Sequence, residues 1–446
     1  MSSRRHVLPL FLLTAAGCSE GGSGSGGPRC GADGVARGDE TIVESQADAD
    51  ALEGCTRIEG SLVIRGPGIR SLAPLSSAVD IGRELQIREA TSLTSLEGLG
   101  AVETVGWDLE VMGCDSLETL DGLSSHSYVG WGATVMSNAS LTSIAALSTL
   151  TPGEGAEGTY GVLIRENPLL SSLDGLEFLG SGSPTIDLLV AECGALSDID
   201  ALSAIEELAS LELRNDGAIE SLEGLASLTS VGSITIEGLS VATLAGLNRL
   251  TTVAGQLAIR NDAALSDLSA LSSLETVGEL SVEGNPAIAT LDDLPALRSV
   301  QVLTVLDDPG LHSLGSAGLG AGTLARLYLA GCPQLVDLGA LSTIDSIDDQ
   351  FTVADLDSLE SLTALDGIAS VGRWLTIIHN DLLPELDAEA WAASRGADIV
   401  KVDGNLGADP HVGTCPWTGD GACDEADGTG LCPAGSDEED CRGGGD

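Results

Sequence analysis

The stretch VGWDLEVMGCDSLETLDGL, residues 105–123, changes its apolar spacing halfway along. Leu109 and Val111 alternate with Asp108, Glu110 and Met112, the period of a strand with one buried face. From Leu117 the spacing becomes three, through Leu120 and Leu123, which suits tight non-α turns lining the same interior. Such a unit turns one short strand and one or two bends inward and cannot bury that face alone, so it needs copies of itself as neighbours.

The copies are present, returning roughly every 23 residues, a period that signals a solenoid. They include RELQIREATSLTSLEGL (83–99), YGVLIRENPLLSSLDGL (160–176), ASLELRNDGAIESLEGL (209–225), GQLAIRNDAALSDLSAL (255–271), GELSVEGNPAIATLDDL (278–294), ARLYLAGCPQLVDLGAL (325–341) and DQFTVADLDSLESLTAL (349–365). Strands of successive units are predicted to pair in parallel about 4.8 Å apart, giving more than a dozen rungs around one elongated core. Each fully buried Leu, Ile or Val contributes roughly 1.5–3 kcal/mol to it. Composition agrees: hydrophobic residues make up 43% of the 446 and aromatic residues 2%, so the core is aliphatic.

Three residues after the last strand apolar come Cys114, Asn138, Asn167, Cys193, Asp216, Asp262, Asn285, Asp308, Cys332 and Asn380. Asn or Asp there can bond the backbone of the turn, and stacked copies can form a ladder. Cysteine is small and tolerates burial, so it fills the slot and loses that hydrogen bond. Cys114 and Cys193 stand three rungs apart, about 14 Å at the strand spacing, whereas a disulfide needs Cα atoms within ~7 Å. Cys332 lies farther still, and all three are expected to be free, buried and structural.

The formal net charge of -49, with Lys401 as the only lysine, excludes nucleic acid as a partner, because phosphate neutralisation needs clustered cations. No G-x-S-x-G, H-E-x-x-H or Walker motif occurs, and His6, His126, His312, His379 and His411 are scattered. The reading is of a non-enzymatic binding protein. A glycan-active β-helix enzyme or a calcium-dependent adhesin is the alternative.

The first 18 residues, MSSRRHVLPLFLLTAAGC, carry Arg4 and Arg5, an apolar run from Val7, and small residues ending at Cys18, the layout of a secretory signal. AAGC (15–18) resembles a bacterial lipobox, which implies cleavage before Cys18 and a lipid on it. Ala15 stands where that pattern prefers Leu, and ordinary cleavage nearby is the alternative. SEGGSGSGGP (19–28) is a flexible tether. The organisation expected is a signal peptide (1–17), a tether (18–29), a solenoid (30–407) and a C-terminal module (408–446). The protein is expected to be exported and lipid-anchored in a bacterial outer membrane, on its surface or periplasmic face, touching the membrane only through that lipid.

Caps are predicted at both ends. After Cys30 come a strand near Thr41, Ser45 as helix N-cap, a short helix, Gly54 as its stop, and Cys55. A disulfide between Cys30 and Cys55 would close a loop of about 25 residues, worth about 3 kcal/mol in the chain-entropy model. DAEAWAASRG (387–396) reads as a helix capped by Asp387 and stopped at Gly396, followed by a final strand, DIVKV (398–402).

The run CTRIEGSLVI (55–64), with the upstream cysteine and intervening helix, resembles the start of a receptor L domain, the ligand-binding module of insulin-receptor and epidermal-growth-factor-receptor ectodomains, also found in bacterial lipoproteins. The resemblance covers about residues 30–407. It implies a right-handed parallel β-helix related to leucine-rich repeats, with a binding role and no catalysis. The many extra rungs and the missing cysteine-rich spacers depart from that family, so its ligands do not carry over.

The tail segment CPWTGDGACDEADGTGLCPAGSDEEDC (415–441) spaces Cys415, Cys423, Cys432 and Cys441 almost evenly. Two disulfides are expected, with three pairings open. Its acidic end resembles the calcium-binding ends of Notch-type and low-density-lipoprotein-receptor repeats, which offers Asp420, Asp424, Asp427, Asp437 and Asp440 as oxygen donors. A disulfide knot with a solvated acidic face stands beside that reading. No cofactor is required, and calcium is the one ion foreseen.

The partner surface is expected on the strands. The residue after the last inward apolar points outward, and that column collects Arg65, Arg88, Met112, Met136, Arg165, Arg214, Glu237, Arg260, Glu283 and Ile378, with Leu189 and Tyr328 nearby. Two roles are open for the five arginines. They can pair with carboxylates such as Glu110, Glu212 and Glu283, or they can receive a protein or polysaccharide partner.

Overall fold

The computed structural model describes residues 27–123, 128–153, 159–181, 185–315 and 322–406. Cys18, the four tail cysteines Cys415, Cys423, Cys432 and Cys441, and the acidic set Asp420, Asp424, Asp427, Asp437 and Asp440 lie outside the described residues, as does His126.

The chain coils into one mainly β, leucine-rich-repeat-like solenoid. Among the described residues, sixteen successive strands, from Glu40–Ser45 and Ser61–Gly68 through to Trp374–Ile378 and Ile399–Asp403, pair each with the next in parallel. Among the described residues the ladder is continuous and open, with Glu40–Ser45 at one edge and Ile399–Asp403 at the other. The alternation that opened the sequence reading is realised at Asp108–Met112, where Leu109 and Val111 are buried and their neighbours half-buried. A second parallel ribbon of two-residue strands, beginning Val35–Ala36, Arg57–Ile58 and Asp80–Ile81, forms the adjoining corner in the early rungs. Later rungs merge that corner into the main strands through bulges, as between Val253 and Gln256.

The three-spaced leucines line the far wall. Leu117, Leu120 and Leu123 are buried, and short 3-10 turns such as Glu223–Leu225 carry the same spacing in later rungs. These turns pack tightly: Gly246 has φ +112, and a Cβ there would lie 1.9 Å from the Leu222 carbonyl oxygen one rung back. One aliphatic cluster runs through the whole interior from Ala36 to Ala392.

The chain leaves each strand through a left-handed residue. Glu89, Ser137, Glu166, Glu192, Asn215, Asn261, Asp307, Asp355 and His379 all have φ between 51 and 58°, and Gly113, Gly238, Gly284, Gly331 and Gly404 occupy the same place in their rungs. The next residue is the predicted ladder position, and it is buried in every rung where the sequence placed it. Asn285 accepts from the Asp262 backbone N–H (3.0 Å) and donates Nδ2 to the carbonyls of Ile259 (3.0 Å) and Glu283 (3.1 Å). Asn138 and Asn380 repeat the arrangement, and Asn405 continues it one rung further than the sequence reading took it. Each rung that holds Asn or Asp in this column thereby supplies the acceptor for an N–H of the rung before.

The cysteines in this column keep weak versions of the same contacts. The Cys114 sulfur lies 3.7 Å from the Ile87 carbonyl oxygen and 3.6 Å from that of Met112. All three thiols are free and buried, and burial pushes Cys114 and Cys193 up to about 11 and Cys332 up to about 12. A thiol with so little thiolate does not alkylate at neutral pH. The folded protein should therefore show no reactive thiol with iodoacetamide at pH 8, and three after denaturation without reductant. A mass-spectrometric disulfide joining any two of the three would contradict the rung assignment.

The N-terminal end is sealed as foreseen. Cys30 and Cys55 are disulfide-bonded with Cα atoms 5.4 Å apart, and helix α1 (Gln46–Asp50) carries a full capping box between Ser45 and Asp48. The C-terminal helix α2 (Glu385–Ala393) corrects the expectation for its start: Pro384 is the N-cap and Asp387 sits inside the first turn. Proline has the fixed φ that suits a helix start. In addition, Glu385 is held by the Asn405 backbone N–H (3.0 Å) and Nδ2 (2.7 Å), which draws the helix start three residues earlier. The stop at Gly396, with φ +72, is as expected.

Candidate binding face

The outward column is one continuous register. It runs Arg65, Arg88, Met112, Met136, Arg165, Ala191, Arg214, Glu237, Arg260, Glu283, Leu306, Ala330, Ala354, Ile378 and Asp403, each opposite the next. All five predicted arginines therefore share one face, and each is braced by carboxylates. Arg65 pairs with Glu44 at 2.6 Å, and Arg88 pairs with Glu110. Arg165 lies between Glu166 (3.2 Å) and Glu192 (3.0 Å), Arg214 between Glu212 (2.9 Å) and Glu237 (3.9 Å), and Arg260 beside Glu283 (3.2 Å). The pairing role is thus present. Pairs this exposed contribute about 0–1 kcal/mol each, so their main effect is to hold the guanidinium groups in place and to relieve self-repulsion.

The face has two halves that the sequence column did not separate. Cations and their partners occupy the rungs up to Glu283. Beyond it the column is apolar, from Leu306 to Ile378, and the parallel column beside it reads Thr304, Tyr328, Thr352 and Thr376, with the Tyr328 hydroxyl donating to Gln350 (2.6 Å). Leu189, singled out with Tyr328, stands in that second column opposite Glu212, within the charged half.

An aromatic group at one margin of the sheet was missed. Trp107 and Trp131 stack with centroids 4.8 Å apart and planes within 5°, and the Arg83 guanidinium lies 5.2 Å from the Trp107 ring centre. Trp131 and nearby Tyr128 are about two-fifths exposed. The signal was legible: Val105-Gly106-Trp107 and Val129-Gly130-Trp131 are the same tripeptide in successive rungs, and stacked rungs bring identical positions into contact. Beside the pair, burial raises the Asp108 carboxyl to about 6, with the charges of Glu110 and Glu84 adding to it.

Among the described residues no group of three or more His, Cys, Asp or Glu is placed to hold a metal ion. No helix among them is long and apolar enough to cross a membrane.

No family model matches the chain, and no curated protein matches it. Among solved structures it is similar to a TLR13–ssRNA13 complex, at 12% identity over 82% of this chain and 73% of that one, with a TM-score of 0.31. It is also similar to the plant peptide hormone receptor RGFR1 in complex with RGF2, at 12% identity over 82% of this chain and 90% of that one, with a TM-score of 0.15. At such TM-scores the likeness carries no argument about ligands, and the assignment of fold and face rests on the strand register and the side chains themselves.

Proposed function

We propose that this protein is a non-enzymatic, exported binding scaffold that receives a protein partner along its parallel strand face. The observation that carries the reading is the braced arginine column continuing into an apolar strip on the same sheet. Arginines fixed by neighbouring carboxylates lose less side-chain entropy when a partner docks. Arg, Tyr and Met beside half-buried apolar side chains such as Leu306 and Ile378 make up the composition enriched at protein interfaces. Changing Arg88, Arg165, Arg214 and Arg260 together to Gln should weaken a captured partner by at least about tenfold, or about 1.4 kcal/mol. Four charge-neutralising changes on the far-side turns should leave affinity intact. Loss of binding with the second set only, in folded variants, refutes the placement.

A polysaccharide partner is the second reading, favoured by the Trp107–Trp131 pair beside Asp108, since sugar rings bind on aromatic faces. Trp131→Ala would then abolish binding while the four arginine changes spare it. A calcium-dependent adhesive role for the C-terminal module is an alternative to binding on the strand face.

The anchor belongs to this proposal too. A lipid on Cys18, followed by the Gly/Ser tether, would hold the solenoid on a bacterial outer membrane with its face free. Cys18→Ala should release the protein from membranes into the soluble fraction and shift its signal cleavage. Unchanged membrane association would remove the anchor from the account.

A further inference from the structure

The apolar half of the strand face carries one arginine that no carboxylate braces. Over the four rungs from Val302 to Ile378 the three outward columns hold no aspartate or glutamate, and the first of them reads Val302, Arg326, Gln350 and Trp374. In a chain with 68 acidic residues this part of the surface is spared the like-charge crowding found elsewhere. Its one cation is Arg326, half-buried between Val302 and Gln350 in the register. Arg65, Arg88, Arg165, Arg214 and Arg260 each pair with a carboxylate, whereas Arg326 has no ion pair or side-chain hydrogen bond among the described residues. The carboxylates nearest in the register are taken. Glu279 accepts from the Gln256 amide (3.0 Å), Glu283 pairs with Arg260 (3.2 Å), and Asp349 at the sheet margin pairs with Arg373 (3.7 Å). Asp307 and Asp355 stand at the opposite margin, past Leu306 and Ala354. The amide beside Arg326 is engaged as well: Gln350 Oε1 accepts from the Tyr328 hydroxyl, and its Nε2 donates to Thr352 (3.4 Å).

We infer that Arg326 is the anion-recognising anchor of the strand face and receives a carboxylate of the protein partner, an acidic side chain or chain terminus set among apolar groups. The inference rests on the strand-face reading and names what that face selects. A guanidinium offers five N–H donors in a planar fork that meets a carboxylate at both oxygens. The outward residues of the same and adjoining rungs, among them Val302, Thr304, Tyr328 and Ala330, are apolar or hydroxyl-bearing. A partner lying on them excludes water from the ion pair and strengthens it. A basic segment finds no carboxylate over these rungs. Phosphate shares the fork chemistry, but its hydration shell is not replaced by apolar neighbours. The braced arginines differ, because an incoming carboxylate must first displace Glu110, Glu192, Glu212 or Glu283.

Small probes on the full chain, carrying isotope-labelled arginine and threonine, test this by NMR without a partner. Benzoate should move the Arg326 Nε–H signal and the Thr352 methyl signal along one saturating curve, in the millimolar range expected of so small a ligand. The Nε–H signals of Arg88, Arg165, Arg214 and Arg260 should stay in place. Benzamide, with the same ring and no charge, and inorganic phosphate should each bind at least about tenfold more weakly. In Arg326→Gln the Thr352 response to benzoate should weaken by at least about tenfold, with the rest of the spectrum unchanged. Arg326 is not among the four arginines whose replacement tests the strand-face reading, so a failure here leaves that reading intact. The inference is overturned if Arg326 shows no saturable shift, if benzamide or phosphate binds as well as benzoate, if the braced arginines respond equally, or if Arg326→Gln keeps its affinity.

Discussion

Replacing Asp216, Asp262 and Asp308 together by asparagine is expected to stabilise the protein strongly at pH 8 and hardly at all at pH 4. These three carboxyls occupy the ladder column with no exposure, and Oδ1 of each accepts a backbone N–H from the preceding rung at 2.6–2.8 Å. Oδ2 of each is buried with no hydrogen-bond partner. Where the column holds asparagine, that position is Nδ2, donating to strand carbonyls; an ionised carboxylate there faces the same carbonyls with nothing to give. Burial accordingly raises Asp216 and Asp262 to about 6 and Asp308 to about 7, with Glu192, Glu237, and the pair Asp307 and Glu283 adding repulsion respectively.

The sign follows from proton counting. Between roughly pH 4, where an unfolded aspartate ionises, and pH 6–7, the folded state keeps protons that the unfolded chain has released. Stability from these groups is fully present below that window and is lost as pH rises through it. An unsatisfied buried group costs about 1–3 kcal/mol, so the triple variant should gain several kcal/mol above pH 7. Denaturant midpoints of variant and parent at pH 4, 6 and 8 check this. The difference between the two proteins is the informative quantity, because the overall charge of -49 makes the parent more stable on acidification for other reasons as well. A constant difference across pH, or a variant less stable at pH 8, would mean these carboxyls are ionised and satisfied.

The converse substitution breaks the ladder. Leucine is already accommodated in this column at Leu239 and Leu356, both buried, so Asn285→Leu removes polarity without opening a cavity. It strands the Asp262 N–H and the Ile259 and Glu283 carbonyls, and a loss of about 2–5 kcal/mol is expected from the unsatisfied groups. Because rungs contact only their neighbours, the damage should be local. Exchange should accelerate in the strands Thr252–Arg260, Thr276–Glu283 and Ser299–Leu306 while Leu62–Ile64 keeps its protection. Loss of structure throughout the solenoid would show instead that the rungs unfold as one unit.

Much of this architecture was legible because the repeat multiplies each signal. The alternation at Leu109 and Val111, the ladder position at Asn138 and Asn167, and the cap at Ser45 are local patterns whose meaning does not depend on distant contacts. The arginine column was legible for the same reason, and so was its pairing with Glu110, Glu212 and Glu283. What escaped needed neighbours that only folding supplies. Asparagine and aspartate look interchangeable at a turn, and only the buried Oδ2 atoms distinguish Asp262 from Asn285. The helix start at Pro384 depends on Glu385 being held by Asn405, 20 residues away. The tryptophan stack required noticing one tripeptide twice, and the exposed Val400, next in the register after buried Leu375, could not be told from its buried counterparts by pattern at all.

The central claim is that recognition takes place on the strands. Hydrogen–deuterium exchange with and without a partner captured on the intact protein tests it most directly, read at Arg88, Arg165, Arg214, Arg260 and Tyr328 on one side and at the far-side turns around Leu120, Leu222 and Leu268 on the other. The account predicts new protection confined to the strand side and spanning several consecutive rungs. Protection confined to the far-side turns, with the strand side unchanged, would contradict it.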